Sequence, residues 1–410
     1  MERLVVAMAF APSLLFCSAR LQAADSLVEA LRQSKPIAEL RMRSEIVKQD
    51  GSPQQANALL FRSHLGFETG KVANTALLVE GELVWAPRDD YRPDPAIAAR
   101  TGYPVIADRE TRELNRVQLS NTSLPGTALT LGRQRINLDD QRFVGSVAWR
   151  MNEQTVDGLR MVNKSVSDLT IDLSYVNQVN RVFGRHSPQS PYRGDSFLGN
   201  VAYQLPPGRL TGFAYLIDID PIASVPAAVR DSSVTYGLRF AGDMRVGRGK
   251  LTYLASYATQ KEYAVNPLDF DLNSYVLELG GVSGAFSYGA GYEVLSGDGT
   301  KGFTTPLATL HKFQGWADKF LTTPVNGIED LYFTVGWTTQ KLKAFAGVGF
   351  TAVWHEFDAE HVAQSYGSEL DLQLQAKWKK LSALVKYADY HADRLMTDTR
   401  KLWFQLEIAL

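Results

Sequence analysis

The chain has 410 residues, 45% hydrophobic and 10% aromatic, enough for one wide barrel or for about two or three ordinary soluble domains. Its 43 basic and 44 acidic residues nearly cancel. There is no basic arm or block of like charge, so nucleic acid is set aside as a partner.

The opening residues, MERLVVAMAFAPSLLFCSARLQAADS, put Arg3 before an apolar run from Leu4 to Cys17, with Ala23 and Ala24 ahead of Asp25. That layout predicts a secretory signal peptide over 1–24. Cys17 follows bulky Phe16, where lipid attachment needs a small residue, and the sole cysteine leaves with the signal. The mature chain then has no disulfide, no CxxC metal site and no thiol nucleophile. No later stretch reaches the roughly eighteen apolar residues of a spanning helix, so any membrane crossing is made by strands.

Residues 25–36 are expected to form a short periplasmic helix, because Ser26 and Glu29 stand in capping-box spacing and Pro36 ends the segment. From Ile37 to Gln49, Ala38, Leu40, Met42 and Ile46 alternate with Glu39, Arg41, Arg43 and Glu45, giving a strand with one apolar and one charged face. Leu59, Phe61, Leu65 and Phe67 alternate likewise with Arg62, His64 and Glu68. After a turn at Thr69 to Ala73, Val79, Leu83 and Trp85 oppose Glu80 and Glu82, and a long segment from Pro87 to Arg112 follows. The run Leu129 to Asn163, LTLGRQRINLDDQRFVGSVAWRMNEQTVDGLRMVN, reads as two strands joined by a polar loop. Arg133, Arg135 and Arg160 recur inside its strand-like parts, where a dry core would not tolerate them; a wall with lipid outside and water inside does.

The same rhythm runs on. Leu169, Ile171, Leu173 and Tyr175 oppose Asp168, Thr170, Asp172 and Ser174, and Val234, Tyr236, Leu238 and Phe240 oppose Ser233, Thr235, Gly237 and Arg239. Phe286 to Val294, Glu369 to Trp378 and Lys401 to Leu410 repeat it. About eighteen such segments, each about ten residues long, match the span of a tilted strand in a bilayer. Short links such as Pro206 to Gly208, Val282 to Ser283 and Gln340 to Lys341 take turns with longer ones such as Arg181 to Asp195 and Ser296 to Gly327. The expected fold is all-β: a transmembrane antiparallel up-and-down β-barrel over 37–410, with short periplasmic turns and long extracellular loops. Its amphipathic last strand closes against the first, although Leu410 departs from the aromatic ending common in outer-membrane barrels. A soluble sandwich or propeller shares the alternation strand by strand. No propeller repeat is present, however, and Trp85, Tyr275 and Trp378 stand near strand ends, where membrane girdles lie.

Leu131 to Asn163, HKFQGWADKF (His311 to Phe320) and KYADYHADRLMTDTRKLWFQLE (Lys386 to Glu407) resemble bacterial outer-membrane porins of the alginate-export type, and the likeness spans nearly the whole mature chain. The resemblance implies an outer-membrane channel of about eighteen strands with a cationic constriction. The resemblance fixes architecture better than cargo; the expected function is diffusion of small hydrophilic solutes, anionic ones among them, or alternatively export of an acidic polysaccharide such as alginate, with outer-membrane lipid around the barrel and no cofactor.

Arg62, Arg116, Arg133, Arg135, Arg160 and Arg239 are the candidate pore-lining cations, since fixed guanidinium charges bind carboxylates and a low-dielectric wall focuses their field. Glu39, Glu80, Glu82, Asp168 and Asp172 suggest an opposing acidic arc, with Glu369 and Asp371 added later in the chain. Cross-strand salt bridges stiffening the wall are the plainer reading of the same charges. In the loop Ser296 to Gly327, Phe313, Trp316, Ala317 and Phe320 fall at helical spacing beside His311, Lys312 and Lys319. A loop with its own apolar face needs something to pack on. It is expected to fold inward and narrow the pore, an external helical cap being the alternative. The histidines stand in no HExxH or GxSxG context, and GDGTKG (Gly297 to Gly302) reads as a flexible turn. Asp139 with Asp140, and Asp218 with Asp220, read as solvated loop carboxylates ahead of calcium ligands, and no metal is expected. A lipid-hydrolysing barrel and a soluble sugar-binding β-protein are the competing classes.

Overall fold

Alternating apolar and polar side chains fold the chain into a ring of antiparallel strands. The computed structural model describes residues 26–340, 342 and 345–409; the expected signal peptide and Leu410 lie outside them. First come β1 (Lys35–Gln49), β2 (Ala56–Glu68), β3 (Thr75–Asp90), β4 (Thr111–Asn121), β5 (Thr127–Gln134) and β6 (Thr155–Asn163). The middle third holds β7 (Leu169–Asn180), β8 (Tyr192–Leu205), β9 (Gly208–Ile217), β10 (Ser233–Val246), β11 (Gly249–Glu262) and β12 (Asp271–Ser283). The last are β13 (Phe286–Leu295), β14 (Ile328–Thr339), β15 (Gly347–Asp358), β16 (Ser365–Trp378), β17 (Leu381–Ala392) and β18 (Thr399–Ala409).

Each strand pairs with its neighbours in sequence, and β1 pairs with β18 from Glu39↔Ala409 to Gln49↔Thr399, closing an 18-stranded barrel. Closure leaves no open edge of unpaired backbone to face lipid. Among the described residues no helix is long and apolar enough to cross a membrane; the strands do so. The N-terminal helix occupies 26–32 and is tied to the β2–β3 turn by Gly70 N–H to the Ala30 carbonyl at 2.8 Å. Pro36 does not end the helix but sits in β1, opposite Phe67, near the strand start, where a missing N–H is tolerated. Likewise β3 runs through Pro87 to Asp90, so the long loop begins later than its composition suggests.

Links 206–207, 247–248, 284–285 and 379–380 gather at one rim. At the other lie L1 (50–55), L2 (91–110), L3 (135–154), L4 (181–191), L5 (218–232), L6 (263–270), L7 (296–327), L8 (359–364) and L9 (393–398). The outer surface is apolar: Leu65, Leu131, Leu238 and Leu277 are 57–60% exposed, and Trp85, Tyr275 and Trp378 are exposed beside them. Each such side chain gains about 1.5–3 kcal/mol on leaving water, which only lipid can supply here. Charged Arg43, Glu45, Arg62, Glu80, Glu369 and Asp371 point to the interior instead, which rules out the soluble alternative. The packed apolar core is not central. It lies toward the long-loop end, where Phe303, Leu307 and Phe320 of L7 meet Phe357, Tyr390 and Trp403 of the inner wall.

Candidate functional site

Two loops turn back into the barrel, and the wall is built to receive them. Three inward guanidinium groups take three consecutive carbonyls of L3: Arg41 donates to Ala148 at 2.9 Å, Arg43 to Trp149 at 2.5 Å and Arg62 to Arg150 at 3.3 Å. Val147 at φ 52° turns the L3 backbone so that those carbonyls face the wall. Trp149 is then sandwiched, with the Arg43 guanidinium 4.0 Å from its ring and the His311 ring of L7 stacked at 4.6 Å, 3° from parallel. L3 and L7 are also joined directly, by Gly145 N–H to the Leu307 carbonyl at 2.9 Å and by Gln154 to the Gly145 and Leu307 carbonyls.

L7 is fixed by charge. Asp318 accepts from Arg150 of L3 at 2.8 Å, from Lys401 of β18 at 2.7 Å and from His311 Nδ1 at 2.7 Å. With Nδ1–H committed to Asp318, His311 accepts at Nε2 from the Lys386 ammonium at 2.8 Å, which makes it neutral. Burial, reinforced by the Lys386 and Arg150 charges, holds His311 well below its ordinary range despite Asp318. Burial alone would raise Asp318, but His311, Lys401 and Arg150 hold it well below the usual carboxylate range. Lys386 also lies 3.7 Å from the Trp316 ring and 4.4 Å from the Trp149 ring, a desolvated cation between aromatic faces.

No helix forms at Phe313 to Phe320; the single helical turn there is Leu310–Lys312. Gln314, Gly315 and Asp318 have positive φ, and Trp316 and Ala317 donate their N–H groups to Asp371 at 3.0 Å and Glu369 at 2.6 Å. Wall carboxylates thus take the N–H groups a helix would have used, and the helical spacing of the aromatics is coincidental. Phe313 lies under the Arg142 guanidinium at 4.7 Å, Lys312 donates to the Asp140 carbonyl at 2.8 Å, and Lys319 donates to Thr399 at 2.9 Å.

Of the expected cations, Arg62 is buried against Glu39, Arg116 pairs with Glu80 at 2.6 Å, and Arg135, the first residue of L3, pairs with Glu153 and Glu80. Arg160 pairs with Asp172 at 2.5 Å, and Arg239 with Asp140 at 3.3 Å. Arg62, Arg116, Arg160 and Arg239 have inward register. Arg133 does not: it pairs with Val117 and Asp157 on the outward face it shares with exposed Leu119 and Leu131. Its two-pronged contact with Asp157 at 2.7 and 2.8 Å, and its bond to the Leu114 carbonyl at 3.1 Å, bridge β6 to the part of β4 that β5 leaves unpaired on turning into L3. Arg133 is therefore a seam residue.

The acids depart from the expected arc. Asp168 is an exposed turn residue with φ 63°, outside the lumen wall, and Glu82 pairs with His64 at 2.6 Å. Glu39, Glu80 and Asp172 each sit beside an arginine rather than across from it, because cross-strand neighbours on one face are the nearest available partners. A separate group of inward acids, Glu278, Glu293, Asp330, Glu369 and Asp371, lies on β12 to β16. Asp139 and Asp140 bind Asn200 and Arg239, and among the described residues no group of three or more His, Cys, Asp or Glu could hold a metal. GDGTKG forms a tight turn in which Asp298 accepts from Thr300 and Lys301 N–H groups.

Sequence reasoning passed over Arg142, Arg150, Asp318, Lys386 and Lys401 as functional residues. Lys386 and Lys401 were within reach, since Lys401 shares parity with the polar face Gln405 and Glu407 of the last strand. Arg142, Arg150 and Asp318 lie in loops, where no period assigns a side. A closed barrel of this size, with a lipid-facing exterior and charged loops packed against its inner wall, defines a bacterial outer-membrane barrel protein, and the outer membrane is its location.

No family model matches the chain, and no curated protein matches it. Solved structures do. Pseudomonas aeruginosa OpdO superposes with a TM-score of 0.70 at 12% identity, covering 94% of this chain and 99% of that one. OccK9 (OpdG) from the same organism gives 0.70 at 12%, covering 93% and 100%, and OpdK, solved with vanillate, gives 0.70 at 12%, covering 93% and 99%. At this identity the likeness is one of fold. The resemblance to the alginate-export type gains no support from it.

Proposed function

We propose that the protein is a diffusion channel for small hydrophilic solutes that favours anions, with L3 and L7 forming its constriction. The observation that carries this reading is which member meets the lumen in the arginine pairs of β3 to β7. The side chains of Arg116, Arg135 and Arg160 are 17%, 27% and 21% exposed, whereas Glu80, Glu153 and Asp172 behind them are 1%, 4% and 12% exposed. Along this arc water faces guanidinium groups while the balancing carboxylates are withdrawn, and a low-dielectric wall focuses that field on a passing carboxylate; at Arg62–Glu39 and Arg239–Asp140 the carboxylate is the more exposed member, so the preference is assigned to the β3 to β7 arc. OpdK having been solved with vanillate, a carboxylate, supports the same solute class. Two loops in the lumen favour monomeric solutes over a polysaccharide strand, and the channel neighbours speak against a barrel hydrolase.

The test is the reversal potential in asymmetric potassium chloride for wild type and for Arg116→Gln, Arg135→Gln and Arg160→Gln combined. The expected result is a shift toward cation selectivity; a wild type that is cation-selective, or a triple variant with unaltered selectivity, defeats the reading.

A further inference from the structure

Four external loops converge on a cavity of about 80 Å³. L3 contributes Arg142, L4 Arg181, L5 Asp231, and L7 Thr304, Thr305 and Gln314. A water molecule needs roughly 10–15 Å³ of such space, so the cavity has room for a small ion and its remaining hydration.

Two of the cations around it keep donors that no carboxylate takes. Arg142 is 5% exposed; its Nε donates to Glu293 at 2.6 Å and its Nη2 to Gln314 at 3.1 Å, while Nη1 has no protein acceptor. Asp231 is taken by Lys301 at 2.8 Å and Thr304 at 3.0 Å. The further carboxylates near Glu293 have their own partners: Asp330 pairs with His355 at 2.8 Å and Asp140 with Arg239 at 3.3 Å. Arg181 has no carboxylate within ion-pair distance among the described residues. It donates to the neutral Gln189 at 2.9 Å and lies over the Tyr192 ring at 4.1 Å, and the carboxylates that act on it do so from further away: Asp231, and Asp94, which accepts from Gln189 at 2.7 Å. Burial pulls its guanidinium below its ordinary value against the opposing pull of Tyr192, Asp231 and Asp94.

We propose that this cavity is a binding site for a small inorganic monovalent anion of chloride size, held between Arg142 Nη1 and Arg181. The Thr305 hydroxyl group of L7 completes the donor set. The ion gives Arg181 a charged partner in direct contact and ties L3, L4 and L7 together, so loop order depends on halide. Solute passage is a separate matter, and the proposal does not rest on it.

The experiment uses the full chain in detergent. Crystals grown in sodium bromide should show an anomalous peak in the cavity in wild type and none in Arg181→Gln. The melting temperature should be higher in chloride than in gluconate at equal ionic strength for wild type, and equal in the two salts for Arg181→Gln. Should Arg181→Gln fail to fold, Arg142→Lys, which retains the pair with Glu293 but not Nη1, should need about tenfold more bromide for half-occupancy. Absence of a bromide peak from wild type overturns the proposal, as does a halide effect that persists in Arg181→Gln. A peak with no halide effect on melting marks an adventitious ion only and overturns it too. A peak displaced by millimolar formate assigns the cavity to a solute carboxylate rather than to a resident ion, and equally ends it.

Discussion

Replacing Asp318 by Asn should free L7 from the barrel wall. The carboxylate is the shared acceptor of Arg150, Lys401 and His311, and the two cations are each 6% exposed at the side chain. Removing one partner of a buried ion pair costs about 3–5 kcal/mol, because the remaining charge stays desolvated. Arg150 keeps Asp108 at 3.9 Å and Glu45 at 4.0 Å, so the lower end applies, about 3 kcal/mol. That weakens the docked state of L7 about a hundredfold relative to the released state. No residue of L7 belongs to the closing strand pairs, so the barrel should still fold and migrate as wild type on unheated gels. Planar-bilayer recording should then show bursts to a higher conductance and excess open-channel noise. A folded Asp318→Asn channel with the current and noise of wild type would refute the charge-clamp argument.

Acid alone should not mimic that variant: the Asp318 carboxyl is depressed, so its contribution is fully present above the ordinary carboxylate range and fades only as pH falls through the depressed value. Gating unchanged between pH 7 and about 5 is expected, and opening at pH 5 that Asp318→Asn abolishes would contradict it. Lys319 behaves oppositely. Burial and the Lys401 charge bring it down to about 8, so anion preference should fall as pH rises from 7 to about 9, and Lys319→Met should remove that step. The same group prefers to be neutral in the folded state, so its contribution to stability rises with pH above about 8. Gly315→Ala puts a methyl group 2.4 Å from the Glu369 carboxylate at φ +78°, and should raise open-channel noise without altering reversal potential. Arg133→Ala should leave selectivity unchanged but lower the urea concentration at which the barrel unfolds from vesicles, as expected of a seam residue. Leu238→Arg, on the lipid face at 60% exposure, should cost about 2–4 kcal/mol in the same assay if the residue lies near the midplane.

The barrel was legible in the chain because a strand in a bilayer-spanning wall repeats every two residues, and Phe61, Leu65, Leu173, Leu238 and Leu277 keep to that period. Strand number, the alternation of long and short links, and the limits of L7 at 296–327 follow from it. The same period placed Arg62, Arg116, Arg160 and Arg239 on the inner face. Arg133 has the parity of outward Leu131, so reading it as pore-lining from its charge went against the period, and Asp168 sits in a turn where no period holds.

What the one-dimensional pattern could not decide is where the loops go. Arg142, Arg150 and Asp318 acquire their partners only when L3 and L7 have turned inward, since Arg150 meets Asp318 across 168 residues of chain. Side-chain periodicity reports the solvent on either face of a strand, a local property; the pairing of loop charges is settled by closure of the ring, which brings β1, β16, β17 and β18 around one space.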